Sequence, residues 1–391
     1  MSRFVAPATT TAATAGAETS SAVRWLDPRD RREAHAIDSI WSDWAAGDLF
    51  HDPRWFWPSL DLVSPPAAGL RFALVGSPRD PVALIPVEYR RLWPHRPLPK
   101  TFGFFAKRGT LPDAGMFVRP GEARRAARAL VGSLRREGGT QLDLTGLTCD
   151  GPMHRALLES VGGRRVALPR PVDVQYYVAT ADGAEAYAAA RTQKHRQNLR
   201  RSWRRLAAWG DPALEISTVD RPDAFAVVEA LDARSWRLME TDRKVTAVAT
   251  TTAVNNVCRR LIADFEEDTH RITRLRVGEV DVASCYMQIR GAVAYAWKIN
   301  FDEAYGRASP GTVVFHEAIM DALRSGATRV EFMAATFQTA RAATHTHRTA
   351  RDVLALPTWR GDVMNAVLRL STRWSGRHHG RAASPPSSGE A

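Results

Sequence analysis

Between Ala292 and Met333 the sequence changes its period twice, and no other stretch narrows the choice of fold as much. Residues 292–301 alternate, which sets Val293, Tyr295, Trp297, Ile299 and Phe301 on one face of a strand. Ala292, Ala294, Ala296, Lys298 and Asn300 fall on the other. One face is bulky; the other is nearly bare and ends in two polar side chains. Two readings fit a bare row: space kept above the sheet for a non-protein group, or a helix packed closely on it. Next come Asp302, Glu303 and the run Tyr305-Gly306-Arg307-Ala308-Ser309-Pro310-Gly311-Thr312, after which Val314, Ala318, Ile319, Ala322 and Leu323 share a helical face. The helix stops near Gly326, and Val330-Glu331-Phe332-Met333 starts a second strand.

The loop therefore opens a helix. Ser309 suits the N-cap, Pro310 the first helical position, where no N–H is needed, and Gly311 lets the backbone approach a ligand without a Cβ in the way. Free N–H groups and the helix dipole attract anions at such an end. The dipole contributes about 0.3–1 kcal/mol at an exposed site, and Arg307 adds a charge-assisted contact.

The run Trp297-Lys298-Ile299-Asn300-Phe301-Asp302, then Tyr305, Ser309-Pro310-Gly311, a helix, a glycine and Val330-Glu331-Phe332 resembles the acyl-cofactor half of the GNAT acyltransferase superfamily. More narrowly it is similar to the tandem-domain branch that includes the CelD-like and FemAB-like proteins. The resemblance is specific over residues 185–335 and architectural before that. It implies an α/β (α+β) fold of two tandem GNAT-like domains, each a mixed, mostly antiparallel sheet flanked by helices. The expected divisions are a disordered lead over 1–22, a degenerate GNAT-like domain over 23–178, an acyltransferase domain over 179–374 and a disordered tail over 375–391.

Length and composition agree, since 391 residues with 45% hydrophobic content give ample material for two cores. No apolar run approaches the roughly 20 residues of a membrane helix. Ala6 to Ala22 is Ala/Thr-rich without a Leu/Val/Ile core, so it reads as a disordered lead rather than a signal peptide, and the expected location is the cytoplasm. Cys149, Cys258 and Cys285 lack metal or redox spacing.

In the first half a helix from Arg31 to Ala46 leads to the aromatic cluster Leu49 to Trp57, expected at the edge of the first core. Strands follow at Leu70–Val75 and Val82–Tyr89, then a proline-rich loop at Trp93–Pro99, a basic helix opened by Arg119-Pro120-Gly121 and running to Arg136, and a strand at Gln141–Leu144. This is hairpin, loop, helix and strand again, an internal repeat of architecture. Leu111 to Pro120 has no equivalent of Tyr305 to Gly311, so a cofactor site there is degenerate.

The junction is expected around Pro169–Pro171 and the strand Asp173–Ala179. After it lies the most basic segment: Arg191 to Trp209 holds Lys194 and six arginines, with no acid. Leu199, Trp203 and Leu206 form a packing stripe, which leaves a positive surface. A formal charge of +12 points the same way, toward anionic partners: cofactor phosphates, an acidic carrier protein or RNA. Helices at Asp223–Arg237 and Thr252–Glu267 and strands at Arg271–Val277, Val282–Ile289 and Ala292–Phe301 complete the GNAT order.

The resemblance implies attack of an amine on a thioester carried by coenzyme A or a carrier protein. The pantetheine arm would follow the bare face of the Ala292–Phe301 strand and the pyrophosphate the Arg307–Thr312 loop. Cofactor contacts are then expected from Lys298, Asn300, Tyr305, Arg307, Ser309, Gly311 and Thr312, and acetyl-CoA or a longer acyl-CoA is the co-substrate, with no metal. Base candidates are Glu331, which stands where the family commonly has an acid, Asp302 and Glu303 beside the loop, and His316 in the first turn of the helix. Where the family often has a glycine and a Tyr-Lys pair, this chain reads Ala334 to Arg341, so Arg341, a histidine or water must deliver the proton. His345 and His347 are expected in a surface loop.

Three functions remain open from the sequence. The first is N-acylation of a small-molecule or peptide amine from acyl-CoA or an acyl carrier protein. The second is a FemAB-like transfer of an aminoacyl group from tRNA, and the third a non-catalytic binding protein that keeps the fold. No membrane insertion is expected in any of them.

Overall fold

Two mixed sheets, each built around one parallel strand pair, carry the chain. The computed structural model describes residues 22–44, 49–60, 69–90, 101–104, 111–162, 166–168, 173–235, 244–333, 337–363 and 365–366. The expected loop at Trp93–Pro99, the lead up to Ser21 and the tail from Ser375 lie outside these residues.

The first half contains α1 (Arg31–Trp44), α2 (Pro53–Ser59), α3 (Ala123–Arg136) and α4 (Pro152–Ser160). Its strands are β1 (Val23–Leu26), β2 (Leu70–Ser77), β3 (Asp80–Arg90), β4 (Thr101–Phe104), β5 (Phe117–Val118), β6 (Gln141–Asp143) and β7 (Val166–Leu168). The second half adds β8 (Asp173–Ala179), α5 (Gly183–Ala189), α6 (Gln193–Leu206), β9 (Pro212–Thr218), α7 (Ala226–Asp232) and α8 (Lys244–Asp264). There follow β10 (Thr269–Val277), β11 (Val280–Arg290), β12 (Val293–Phe301), α9 (Pro310–Arg324), β13 (Arg329–Phe332), α10 (Phe337–Ala342), β14 (His345–Thr349) and β15 (Val353–Ala355). No helix of the described residues is long and apolar enough to cross a membrane.

The first sheet has the order β1-β2-β3-β4-β6-β15-β7, with β5 paired to β3, and the second β14-β8-β13-β12-β11-β10-β9. In the first, β4 and β6 are parallel and α3 lies between them in sequence; in the second, β12 and β13 are parallel and α9 lies between them. Antiparallel neighbours need only a turn, whereas a parallel pair needs a crossover, so these two helices fix the plan of their sheets. The architectural repeat expected from the sequence is present in this order of meander, helix and parallel strand.

Two divisions differ from expectation. The junction placed between Val178 and Ala179 falls inside β8, which lies wholly in the second sheet, between β13 and β14. The chain also returns: β15 pairs with β6 and β7 of the first sheet. Likewise the aromatic cluster is not an edge. Phe50, Trp55 and Phe56 are fully buried in a core shared with Val257, Leu261, Phe265, Tyr295 and Met333 of the second half, with Phe50 edge-on to Tyr295 at 5.8 Å. Arg290 meets Asp52 at 3.1 Å and Arg54 meets Glu267 at 2.6 Å at the margin of this core.

The register of β12 revises the reading of its faces. Tyr286 pairs with Lys298 and Met287 with Ala296, so Trp297 is an extra residue without a partner on β11, a β-bulge. Alternation is interrupted there. Ala294 and Ala296 pack in one core with Val314 and Ala318 of α9, and Ile299 and Phe301 join that side. The bare row is therefore covered by α9, its small side chains letting the helix come close. Lys298 and Asn300 lie on the opposite face. The Lys298 ammonium is bonded to the Asp232 carboxylate of α7 and to Asn255 of α8, and Asn255 Nδ2 donates to Asp232 at 2.9 Å. Asn300 donates to the Val228 carbonyl at 3.1 Å. Taking an ammonium out of water is tolerated only with its counter-charge, so this triad ties α7 and α8 to the sheet. Asp232→Ala should lose about 3–5 kcal/mol in urea denaturation, and a Lys298→Met, Asp232→Leu double substitution should recover most of it.

Candidate active site

The first turn of α9 is the centre of the site. The sequence Asp302 to Thr312 reaches it through a 3-10 turn, Glu303–Ala308, whose entry Asp302 caps by accepting from the Ala304 N–H at 3.0 Å. Asp302 is further held by Arg234 at 3.0 Å. Ser309 stands at the N-cap as expected, but its φ of 55° is left-handed and its hydroxyl makes no capping bond. A non-glycine residue in that region costs roughly 1–2 kcal/mol, and such strain is retained where the surroundings impose it. The turn is thus offered to a ligand rather than closed by its own side chain.

α6 lies against this turn. Leu199 and Trp203 pack on the core around α9, with Leu206 fully buried in it. One turn away His195, Asn198, Arg201 and Arg205 look into a cavity of about 350 Å³ that Ser309 and Thr312 close from below. Arg205 also donates to the Arg307 carbonyl at 2.8 Å, which latches the helix to the loop. His316 and Arg341 line the far wall. Among the described residues no acid pairs with Arg201 or Arg205. His195 Nε2 and His316 Nδ1 are buried without a hydrogen-bond partner. Burial, with His195 and Arg191 nearby, pushes the His316 ring down to about 4, and burial with Arg191 and Arg341 lowers His195. Both rings are neutral at pH 7, in a cavity whose unmatched charges are positive. An anion with several oxygens suits such a set.

Beside α9 the two parallel strands part. β13 pairs with β12 only over Val293–Ala296, and the last bond is from the Met333 N–H to the Ala296 carbonyl at 3.3 Å. Past the bulge, residues 297–301 have no strand partner on that side among the described residues. On the sheet face away from α9, β13, β8 and β14 bring a second group together. Glu331, 1% exposed, is bonded by Arg329, and His347 Nε2 lies 3.1 Å from its carboxylate. Tyr177 stacks on His347 with ring centres 4.4 Å apart, and the Arg329 guanidinium covers Tyr177 at 4.3 Å. Nε2 of His347 is also 2.9 Å from Arg329 Nη2, an obligate donor, while Glu331 is an obligate acceptor. The ring can be held as either tautomer, and Nδ1 makes no hydrogen bond among the described residues.

Residues 193–338 match the model of the acetyltransferase (GNAT) domain. This segment has the pattern of a GNAT acetyltransferase domain. The match spans α6 through the start of α10, and so takes in the cavity, the α9 turn, the bulged strand and Glu331. No curated protein sequence matches the chain. Among solved structures, the C-terminal domain (DUF2156) of an Agrobacterium fabrum protein assigned as a lysylphosphatidylglycerol synthetase aligns over 87% of this chain and 96% of its own, at 10% identity and a TM-score of 0.47. A tandem GNAT protein from the clavulanic acid biosynthesis pathway aligns over 86% and 99%, at 13% and 0.45. FemX aligns over 88% and 100%, at 11% and 0.43. What this chain acts on is read from its own residues.

Of the residues singled out in the sequence, Ser309, Thr312 and His316 meet at the cavity, and Arg307 and Tyr305 flank it, Tyr305 edge-on to Trp209 at 5.1 Å. Gly311 is buried in the first turn of α9. Lys298 and Asn300 are turned away to α7 and α8 by the bulge. Asp302 is engaged as a cap and Glu303 is exposed. His316 sits in the second turn of α9 rather than the first. His345 and His347 lie in a strand, β14, rather than a loop. Arg201 and Arg205 come from the basic segment read as a binding surface, whereas His195 and Asn198 on the same face were not singled out. The spacing of these four by three and four residues along one helix face was the available signal. Cys149, Asp150 and His154 also lie together, but His154 Nδ1 accepts the Asp150 N–H at 3.1 Å, which puts the ring proton on Nε2 and leaves neither nitrogen a free lone pair.

The histidine cavity has a pH signature. The unfolded chain takes up protons near 6.5 and folded His316 only near about 4, so between these values the unfolded state binds more protons and stability falls as pH drops. Denaturation at pH 7 and pH 4.5 should show a smaller loss in His316→Phe than in the unsubstituted protein, by up to about 3 kcal/mol.

Proposed function

We propose that the protein is an N-acyltransferase that moves an acyl group from acyl-CoA, or from the same pantetheine arm on a carrier protein, to a primary amine. The observation that carries the reading is the uncapped first turn of α9 facing one cavity with the unmatched Arg201 and Arg205. The positive end of the α9 dipole and two guanidinium groups together form the chemistry that holds a pyrophosphate. From there the arm would run along the unpaired edge of β12 past Ala296, where free backbone groups can bond its amides and polarise the thioester carbonyl. One oxyanion donor of that kind is worth about 10²–10³ in rate.

The amine then approaches from the face opposite α9. His347 sits at the level of the end of β13, since it pairs with Gln175, two residues before the Tyr177 that faces Glu331. Glu331 orients the ring, and Nδ1 takes the proton of the ammonium. This pair replaces Asp302, Glu303 and His316 as the base in the present reading. The first sheet, in the same reading, is a copy without a donor site, because Leu111 to Pro120 carries no counterpart of the Ser309 turn. An aminoacyl-tRNA donor is the second reading; the positive charge of α6 favours it, while the compact turn at Ser309 favours pyrophosphate.

Acetyl-CoA at 100-fold excess over its Kd should stabilise the protein by roughly 2.7 kcal/mol, a melting shift of several degrees. Gly311→Asp, which puts bulk and negative charge into the turn, should abolish the shift, and a shift that survives it would remove the site from this turn. With radiolabelled acetyl-CoA and a panel of amines, His347→Gln should slow transfer by about 10²–10⁴ and leave acetyl-CoA affinity unchanged. An unchanged rate would take His347 out of the proton path.

A further inference from the structure

α6 carries a second charged face that the cavity does not use. Arg196, Arg200 and Arg204 are exposed, and among the described residues none has an acidic partner. Some arginines elsewhere are matched, although Arg128, Arg135 and Arg136 of α3 have no acid partner among the described residues. On the other basic helix, α3, Arg124 meets Glu159 at 3.1 Å and Arg125 lies 3.9 Å from Glu122. In the second sheet Arg274 holds Asp281 at 2.7 Å, and Arg271 holds Asp321 at 2.7 Å. On α6, by contrast, Arg196, Arg200 and Arg204 follow one another at i, i+4, where like charges oppose the helix. A ridge that repels itself is kept without a compensating acid.

The donor alone does not account for it. In the donor reading the phosphates of coenzyme A would meet Arg201, Arg205 and Arg307 at the cavity and its mouth, which leaves the outer ridge without an anion. That ridge runs for about 12 Å, eight residues at 1.5 Å each, room for a helix–helix contact. Beyond its end Trp209 is 50% exposed beside Arg307. A charged ridge with one exposed aromatic at the mouth of an arm-binding cavity fits a protein helix of opposite charge. Single-stranded nucleic acid is instead bound on a series of aromatic platforms, and α6 offers none outward.

Resting on the donor reading above, we propose that the Arg196–Arg200–Arg204 face of α6, with Trp209, docks the acidic helix of an acyl carrier protein whose phosphopantetheine arm enters at Ser309. The carrier is steered by charge and anchored by the aromatic, so its affinity depends on salt far more than that of the free arm.

The test compares three probes on the full chain: acetyl-CoA, a bacterial fatty-acid acyl carrier protein bearing an acetylated arm, and bulk tRNA. Titration calorimetry at 50 and 200 mM salt is run on the natural protein and on the double variant Arg200→Glu, Arg204→Glu. Expected is a loss of at least tenfold in carrier affinity in the variant, with acetyl-CoA affinity within twofold of the natural protein and an unlowered melting temperature. Carrier binding that is absent, or equal in the two proteins while acetyl-CoA binds, overturns the docking face and spares the donor site. tRNA bound more tightly than the carrier, with a salt slope that the variant flattens, overturns it in favour of RNA. Failure of both acetyl-CoA and the carrier to bind overturns the donor reading and the docking face with it.

Discussion

One extra residue in one strand sets the geometry of the second half. Without the bulge at Trp297, β12 would present its alanines, Lys298 and Asn300 to α9 and its large side chains to α7 and α8. With it, the strand changes sides once: small residues admit α9 at one end, and a buried ion pair anchors α7 and α8 at the other. The same irregularity coincides with the point where β12 and β13 separate. Close approach of the helix, the free strand edge and the attachment of two further helices are thus consequences of a single insertion into a ladder.

Much of this was legible in the sequence because it is local. The strand, turn, helix and strand from Ala292 to Met333 follow from periodicity and from the caps and breakers at Ser309, Pro310 and Gly326, and the basic stripe of α6 from simple reading. What stayed hidden depends on partners distant in the chain. Period-two reasoning assumes an unbroken ladder, so it assigned Lys298 and Asn300 to the wrong face; the bulge is visible only against β11. Asp232 and Asn255 lie 66 and 43 residues from the lysine they hold. His347 reads as loop in isolation and becomes a neighbour of Glu331 only because β14 adds to β8. That α6 and the α9 turn share one cavity is likewise a fact of packing, since 102 residues separate Arg205 from Arg307.

The two sheets are joined by apolar burial with a polar margin. Phe50, Trp55 and Phe56 of the first half fill the space beside Phe265 and Tyr295, and ion pairs at Asp52 and Arg54 surround them. A buried aromatic seam of this kind holds relative orientation better than a few surface charges would. It also lies under the sheet face that carries Glu331 and His347, so the half without a donor turn of its own still supports the half that has one.

The late strand β15 adds a constraint of a different kind. It lies between β6 and β7, more than 180 residues after the later of them in the chain. A ribosome releases the first half long before it makes Val353 to Ala355, and during that interval the early sheet has an open slot with two unpaired edges. Such edges invite wrong pairing with another chain, and filling them waits on the most non-local strand pairing among the described residues. The first sheet is therefore completed only once β15 has been made, and a cut between the two sheets would leave β6 and β7 without the strand that joins them.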